Sequence, residues 1–368
     1  MRPLRRAALA ALLLAAAALL GGCASLGYYA QAIGGHLELM RRARPVAEVI
    51  ADPATPPALR ARLQLTQRLR DYAVRELKLP DNDSYRRYAD LGRDAAVWNV
   101  VAAPELSLTL KTWCFPIMGC VGYRGYYARG GAGAEAAALR AQGWETDVYG
   151  VPAYSTLGWS NWLGGDPLLN TFVNWPEGDL ARLIFHELAH QVAYAADDTT
   201  FNESFAVSVQ RIGGRRWLAA HADAAARAAD AVERRRRDDF QALTRRYRDQ
   251  LAALYASALP PAAMRERKAA VYAALRADYA ILKRERWGAY AGYDAWFARA
   301  DNASFGVLAA YDELVPQFER LFEHQGGDFR RYYAEVRRLA AMPRAERRAA
   351  LAAEASPGGP DGRYPHPP

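Results

Sequence analysis

Cysteine is scarce: the 368 residues hold three, at Cys23, Cys114 and Cys120. Neither Cys114 nor Cys120 has a histidine or further cysteine nearby, which argues against a metal site built on thiolates. Histidine is sparse too, with six in the chain, so any closely spaced pair of imidazoles stands out. Charge of one sign does not dominate. The balance is +8, from 48 Lys+Arg against 40 Asp+Glu, and the excess is spread out, which speaks against a nucleic-acid-binding protein. No fixed period recurs, so a solenoid or propeller is excluded. Long apolar runs are absent except at the N-terminus, where Ala7–Leu20 makes 14 residues, short for a membrane-spanning helix. Hydrophobic residues still reach 51% and charged residues 24%, the proportions of a packed chain rather than a disordered one. The length fits one or two domains plus extensions.

The N-terminal run has the layout of an export signal. Arg2, Arg5 and Arg6 precede it, and Leu20-Gly21-Gly22-Cys23 closes it. The segment resembles a bacterial lipoprotein signal, in which a leucine and two small residues precede the cysteine that receives lipid. That resemblance implies cleavage after Gly22, acylation of Cys23 and anchorage in the bilayer. With Ala24 rather than Asp next in line, it implies the outer membrane, facing the periplasm. The alternative is a plain secretory signal with Cys23 incidental. In an exported protein the remaining pair, Cys114 and Cys120, reads as a disulfide, with two free buried thiols as the alternative.

The rest of the chain divides by texture. Apolar residues recur with helical rhythm over Tyr28–Ala47 and Ala58–Leu77, separated by the Pro-rich turn 52–57. Residues 96–173 carry β-branched and aromatic segments cut by Gly and Pro, predicting strands at Val97–Val101, Leu106–Trp113, Val121–Tyr127 and Glu145–Val151. Ala134–Gln142 reads as a helix ended by Gly143. Beyond Pro176 the pattern is helical almost throughout: one helix to Ala195, a second from Phe201 to Ile212 stopped by Gly213-Gly214, then Ala/Arg-rich helices broken at Pro260-Pro261 and Gly326-Gly327. Arg234–Arg237 is flanked by Glu233, Asp238 and Asp239 and reads as a solvated helix face.

The expected fold is therefore α+β and predominantly helical, with a small, mainly antiparallel sheet packed on the helix that carries the site and a helical C-terminal part. The expected segments are a signal peptide at 1–22, an N-terminal helical segment at 23–95, a catalytic core at 96–213, a helical subdomain at 214–354 and a disordered tail at 355–368.

One constellation carries chemistry. His186-Glu187-Leu188-Ala189-His190 places two imidazoles four residues apart on one helix. Positions i and i+4 lie about 40° apart around the axis, so both rings can share one tetrahedral zinc ion. Glu187, rotated about 100° from His186, stands beside such an ion and can take a proton from the attacking water. A catalytic zinc site uses three protein ligands and an open position. The third candidate is Glu203, 13 residues beyond His190. A turn at 196–200 would bring it back to the metal. Thr200-x-x-Glu203 is also a capping-box pattern, in which Glu203 would serve the helix instead. Asp197 and Asp198 are further carboxylates within reach, and Asn202 is placed to support a ligand.

HELAH followed by FNESFA resembles the gluzincin pattern, although the interval to Glu203 is shorter than in the best-known aminopeptidases of that kind. The chain is more closely similar to a bacterial family of predicted aminopeptidase lipoproteins, at the Cys23 segment, at Trp113-Cys114-Phe115-Pro116 and Gly119-Cys120, at Tyr123-Arg124-Gly125-Tyr126, at Gly150–Trp159 and at both motif segments. The resemblance implies zinc peptidase chemistry, with His186, His190 and Glu203 as ligands of one zinc ion per chain and Glu187 as general base. It places Tyr154–Trp159 beside the cleft, where the Tyr154 phenol would donate to a developing oxyanion. It also leaves Arg124 either holding a substrate carboxylate or making a structural ion pair. The expected activity is peptide hydrolysis by a lipid-anchored enzyme of the bacterial envelope, with a peptide substrate, the lipid bilayer as partner through acylated Cys23, and no nucleic acid. The alternative is a non-catalytic metal-binding envelope lipoprotein on the same scaffold.

Overall fold

The computed structural model describes residues 27–115, 119–153, 165–196 and 198–354. Cys23 and the signal segment, Tyr154, Asp197 and the tail at 355–368 lie outside the described residues.

Helix α1 (27–42) is followed by the two-residue strand β1 (Arg44–Pro45) and by α2 (Val46–Ala51) and α3 (Pro57–Arg75). The turn between α2 and α3 occupies the expected Pro-rich stretch, and Pro57 takes the first position of α3, where no backbone donor is needed. Strands β2 (Arg87–Ala89), β3 (Val97–Pro104), β4 (Trp113–Phe115), β5 (Gly119–Val121) and β6 (Arg124–Tyr126) lead to α4 (Arg129–Ala141), β7 (Trp144–Val151) and β8 (Leu168–Leu169). Helices α5 (Glu177–His190), α6 (Thr199–His221), α7 (Ala224–Tyr255), α8 (Pro261–Arg286), α9 (Asp294–Arg299), α10 (Asn302–Asp312), α11 (Val315–His324), α12 (Phe329–Ala340) and α13 (Arg344–Glu354) complete the chain. With thirteen helices and small, mostly antiparallel sheets among the described residues, the architecture is α+β and predominantly helical.

The sheet that matters most is β6–β3–β7, antiparallel throughout, with Asn99 of β3 opposite both Gly125 and Tyr149. Alternation along β3 sends Val100 and Ala102 to one face, against Ala132, Ala136 and Leu139 of α4, and Val101 and Ala103 to the other, against Ala303 of α10. The β4–β5 hairpin carries the Cys114–Cys120 disulfide across directly opposed positions. Helix α5 lies in the main core instead. Its Leu180, Ala181, Ile184, Phe185, Leu188 and Ala189 are buried among residues running from Leu39 to Leu351. A second core, built on Phe240, Tyr272, Tyr279, Phe297 and Phe305, joins α7 to α10.

Three local expectations are corrected. Residues 106–112 contain no strand, and Ser107 N–H instead turns back to the Pro104 carbonyl. Helix α5 ends at His190 rather than Ala195, because Asn202 takes both backbone groups of Ala195, its Oδ1 accepting from the N–H (2.8 Å) and its Nδ2 donating to the carbonyl (2.7 Å). Helix α6 runs through Gly213-Gly214 to His221. A Cβ on Gly213 would lie 2.6 Å from Leu77 Cδ1 and 2.9 Å from Phe185 Cδ2. The pair therefore serves close helix packing rather than termination.

Candidate active site

Helix α5 is apolar nearly all round, and the core holds it from several sides. That fixes the direction in which its polar residues leave the helix. His190 is buried, while His186, Glu187 and Glu203 are largely buried. The two imidazoles meet Nε2 to Nε2 at 3.1 Å, with Glu203 Oε2 at 3.4 Å from His186 Nε2 and 3.7 Å from His190 Nε2.

Glu203 reaches them because α6 starts where it does. The cap of α6 is Asp198, whose Oδ1 accepts from the Phe201 N–H at 3.1 Å. Thr200 lies inside the helix and Glu203 one turn further on, so the capping-box reading of Thr200 and Glu203 does not hold. Asp198 does not join the imidazole cluster. It is buried among Arg347 (3.2 Å) and Arg348 (2.5 Å) of α13. Burial alone would raise its pKa, but the Arg348 hydrogen bond and the Phe201 N–H outweigh that and hold the carboxyl below its ordinary value. Asn202, clasping Ala195, shapes the turn between α5 and α6.

The cluster has the donor set of a metal site. The ligand atoms of His186, His190 and Glu203 lie within 4.8 Å of one another and could hold a metal ion. For a tetrahedral ion at about 2.05 Å from N and O ligands, neighbouring ligand atoms sit about 3.3 Å apart. The three observed separations scatter around that value. Without a cation, the site distributes protons instead. Burial works against charging His186, yet its hydrogen bond to Glu203 and the nearby Glu187 charge turn the net shift upward. Burial pushes His190 down to about 4 against the pull of Glu203. Burial also opposes ionising Glu203, but the charge of His190 and the hydrogen bond from His186 keep its carboxyl below the usual range. A cation held there would need neutral imidazoles and an ionised carboxylate, so its binding would compete with protons for the cluster.

Sequence reading missed the surroundings. Gln210, seven residues after Glu203 and on the same face of α6, bonds to His186 and adds to its upward shift. That seven-residue spacing was the available signal. Three phenols feel the Glu203 charge. Tyr149 of β7, 3.4 Å from Asn99 Nδ2, is pushed up to about 12 by burial and then, after the opposing Asn99 bond, by Glu203. Tyr123 and Tyr194 are raised by burial first and Glu203 next. No local pattern distinguishes these from the other tyrosines among 21. Behind Glu187, Gln191 on the same helix face donates to Ser84 Oγ (3.1 Å) and accepts from Asn82 Nδ2 (2.6 Å). The next residue, Tyr85, is fully buried with a left-handed backbone (φ 64°) and, among the described residues, no partner for its hydroxyl.

Arg124 makes a structural pair, 3.3 Å from Glu135 with the Tyr28 ring 4.2 Å beneath its guanidinium. In the Arg234–Arg237 run, Arg236 binds Glu233 and covers Tyr290, and Arg237 lies 2.8 Å from Asp179, so half of that run is engaged within the protein.

A family model described as "Putative aminopeptidase" matches residues 27–351. The chain belongs to that family, which supports a peptidase-like function. No curated protein matches the chain significantly, and no solved structure does.

Proposed function

We propose that the chain is a zinc-dependent aminopeptidase, held by acylated Cys23 at the bacterial outer membrane facing the periplasm. The observation that carries this reading is the convergence of His186, His190 and Glu203, with Glu187 on the same helix beside them. His186, His190 and Glu203 would hold one zinc ion. When bound, zinc supplies Lewis acidity, polarising a carbonyl oxygen and acidifying water. Glu187 accepts the proton of the water whose oxygen attacks the scissile carbonyl carbon, then gives it to the amine nitrogen as the C–N bond breaks. A developing oxyanion needs a donor. Tyr154 has that role by resemblance. Among the described residues, the Tyr123 phenol, which feels the charges of Glu203 and Glu187, is a second candidate for it. The peptide substrate rests on the family description.

The test is metal content and hydrolysis together, on protein lacking residues 1–23. Wild type is expected to carry about one zinc per chain and to release amino acids from aminoacyl chromogenic substrates. His186→Ala should lose the metal. Wild-type zinc stoichiometry in His186→Ala contradicts the ligand assignment. Stoichiometric zinc without hydrolysis of any peptide in a broad library favours the metal-binding scaffold.

A further inference from the structure

Among the described residues only four large apolar side chains are exposed: Tyr29 (41%), Ile33 (61%), Leu37 (46%) and Ile281 (45%). Three of the four stand four residues apart on α1, so they form one stripe along a single helix face. The rest of that face, Ala30 and Gly34, is exposed and uncharged. Charge begins only past Leu37, where Glu38, Arg41, Arg42 and Arg44 are exposed.

The opposite side of α1 is tied to the body. Gln31 donates to the Gly125 carbonyl (3.3 Å) and accepts from the Tyr127 N–H (3.1 Å). The Tyr28 ring stacks on Phe115 of the disulfide hairpin at 5.6 Å. So α1 is not a loose leash. It is fixed to β6, the strand that begins directly after Tyr123.

We infer that the Tyr29–Ile33–Leu37 face of α1 lies in the headgroup boundary of the bilayer and sets the orientation of the catalytic body on the membrane. The inference rests on the proposed acylation of Cys23. Four residue steps separate Cys23 from Gly27, at most about 14 Å of chain. The acyl anchor therefore holds the start of α1 within reach of the bilayer surface. A helix with an uncharged apolar face and an exposed cation at one end suits that boundary, with its apolar side chains entering the acyl edge and Arg41 meeting lipid phosphates, while Arg42 and Arg44 pair with Glu38 and Asp52. A tyrosine ring with its hydroxyl suits the same depth. No described helix is long and apolar enough to cross a membrane, so contact of this kind is surface contact. A second copy is a poorer occupant, since three side chains fall well short of the roughly 800 Å² per partner that a stable protein pair buries.

The test uses the full, processed lipoprotein in phosphatidylethanolamine/phosphatidylglycerol vesicles. An environment-sensitive fluorophore is placed at Ile33→Cys and, separately, at Ile281→Cys. Both positions are exposed, so the fold tolerates the change. The Ile33 probe is expected to shift to the blue on reconstitution and to be quenched by spin-labelled phospholipid, while the Ile281 probe does neither. Vesicle-bound protein whose Ile33 probe stays aqueous overturns the inference and leaves the anchor standing. Protein that fails to float with vesicles overturns both. The Cys23→Ser protein without lipid supplies the last comparison. There the Ile33 probe should report water, and an apolar signal would mean that protein, not lipid, covers the stripe.

Discussion

Asp198 ties the C-terminal helix α13 to the start of α6, and its removal has a size that can be worked out. The carboxylate does two jobs. It caps α6 through the Phe201 N–H, and it balances Arg347 and Arg348 in a buried setting. Loss of a cap costs about 0.5–2 kcal/mol. Removing one partner of a buried ion pair costs about 3–5 kcal/mol, because the other charge stays behind. Two facts move this pair to the low end. Arg347 also donates to the carbonyl of Met342 at 2.8 Å, and the Arg348 side chain keeps partial access to water. Since both terms share one side chain they do not add fully, and Asp198→Ala is expected to cost about 3 kcal/mol. Asp198→Asn keeps an acceptor for the cap and loses only the charge, so about 2 kcal/mol is expected. The pH dependence has a definite sign. The folded pKa is lowered, so the stabilisation is present above the unfolded carboxylate value of about 3.9 and is lost as pH falls through the folded value. The gap between wild type and Asp198→Asn should be flat above about pH 5 and close below about pH 4. Urea unfolding of the soluble protein at a series of pH values measures both. A cost for Asp198→Ala under about 1 kcal/mol, or a gap that persists at low pH, refutes the reasoning.

Two glycines in helices separate propensity from packing. Gly133 of α4 is exposed with nothing within 4 Å of its would-be Cβ, so Gly133→Ala should stabilise by about 0.5–1 kcal/mol. Gly213→Ala gains the same propensity but crowds Leu77 and Phe185, and thermal unfolding should place it about 1–3 kcal/mol below Gly133→Ala. Equal effects at the two sites would show that α6 has room there. Cys23→Ser should release the protein from membranes or leave an uncleaved precursor in fractionated cells. A lipidated Cys23→Ser product on membranes would place the anchor elsewhere.

The helix that carries the site was legible because its signal is local. Four-residue spacing puts His186 and His190 on one face whatever the rest of the chain does. The strands at Val97 and Glu145 and the breaks at Pro260 and Gly326 were legible for similar reasons. Gly213-Gly214 was misleading because glycine ends a helix in one setting and admits a neighbour in another. Only the positions of Leu77 and Phe185, far away in sequence, decide which. Whether Glu203 serves as part of a helix cap turned on whether Asp198 or Thr200 starts α6, and it is Asp198, held among two arginines of α13, that caps the helix. Tyr123, Tyr149 and Tyr85 come to the site by tertiary packing alone.

Glu187→Gln, assayed for metal and for hydrolysis in one preparation, tests the central claim most directly. Glu187 is not one of the three residues that would hold the ion, so zinc content and unfolding midpoint should match wild type. Glutamine keeps the volume of the side chain but cannot accept a proton from the attacking water. General-base assistance contributes about 10²–10⁴-fold, or roughly 3–5.5 kcal/mol of barrier. Hydrolysis of aminoacyl chromogenic substrates should therefore fall by at least about 100-fold at unchanged metal content. Activity within a few-fold of wild type would contradict the assignment of Glu187 as the base, and with it the mechanism proposed for this site.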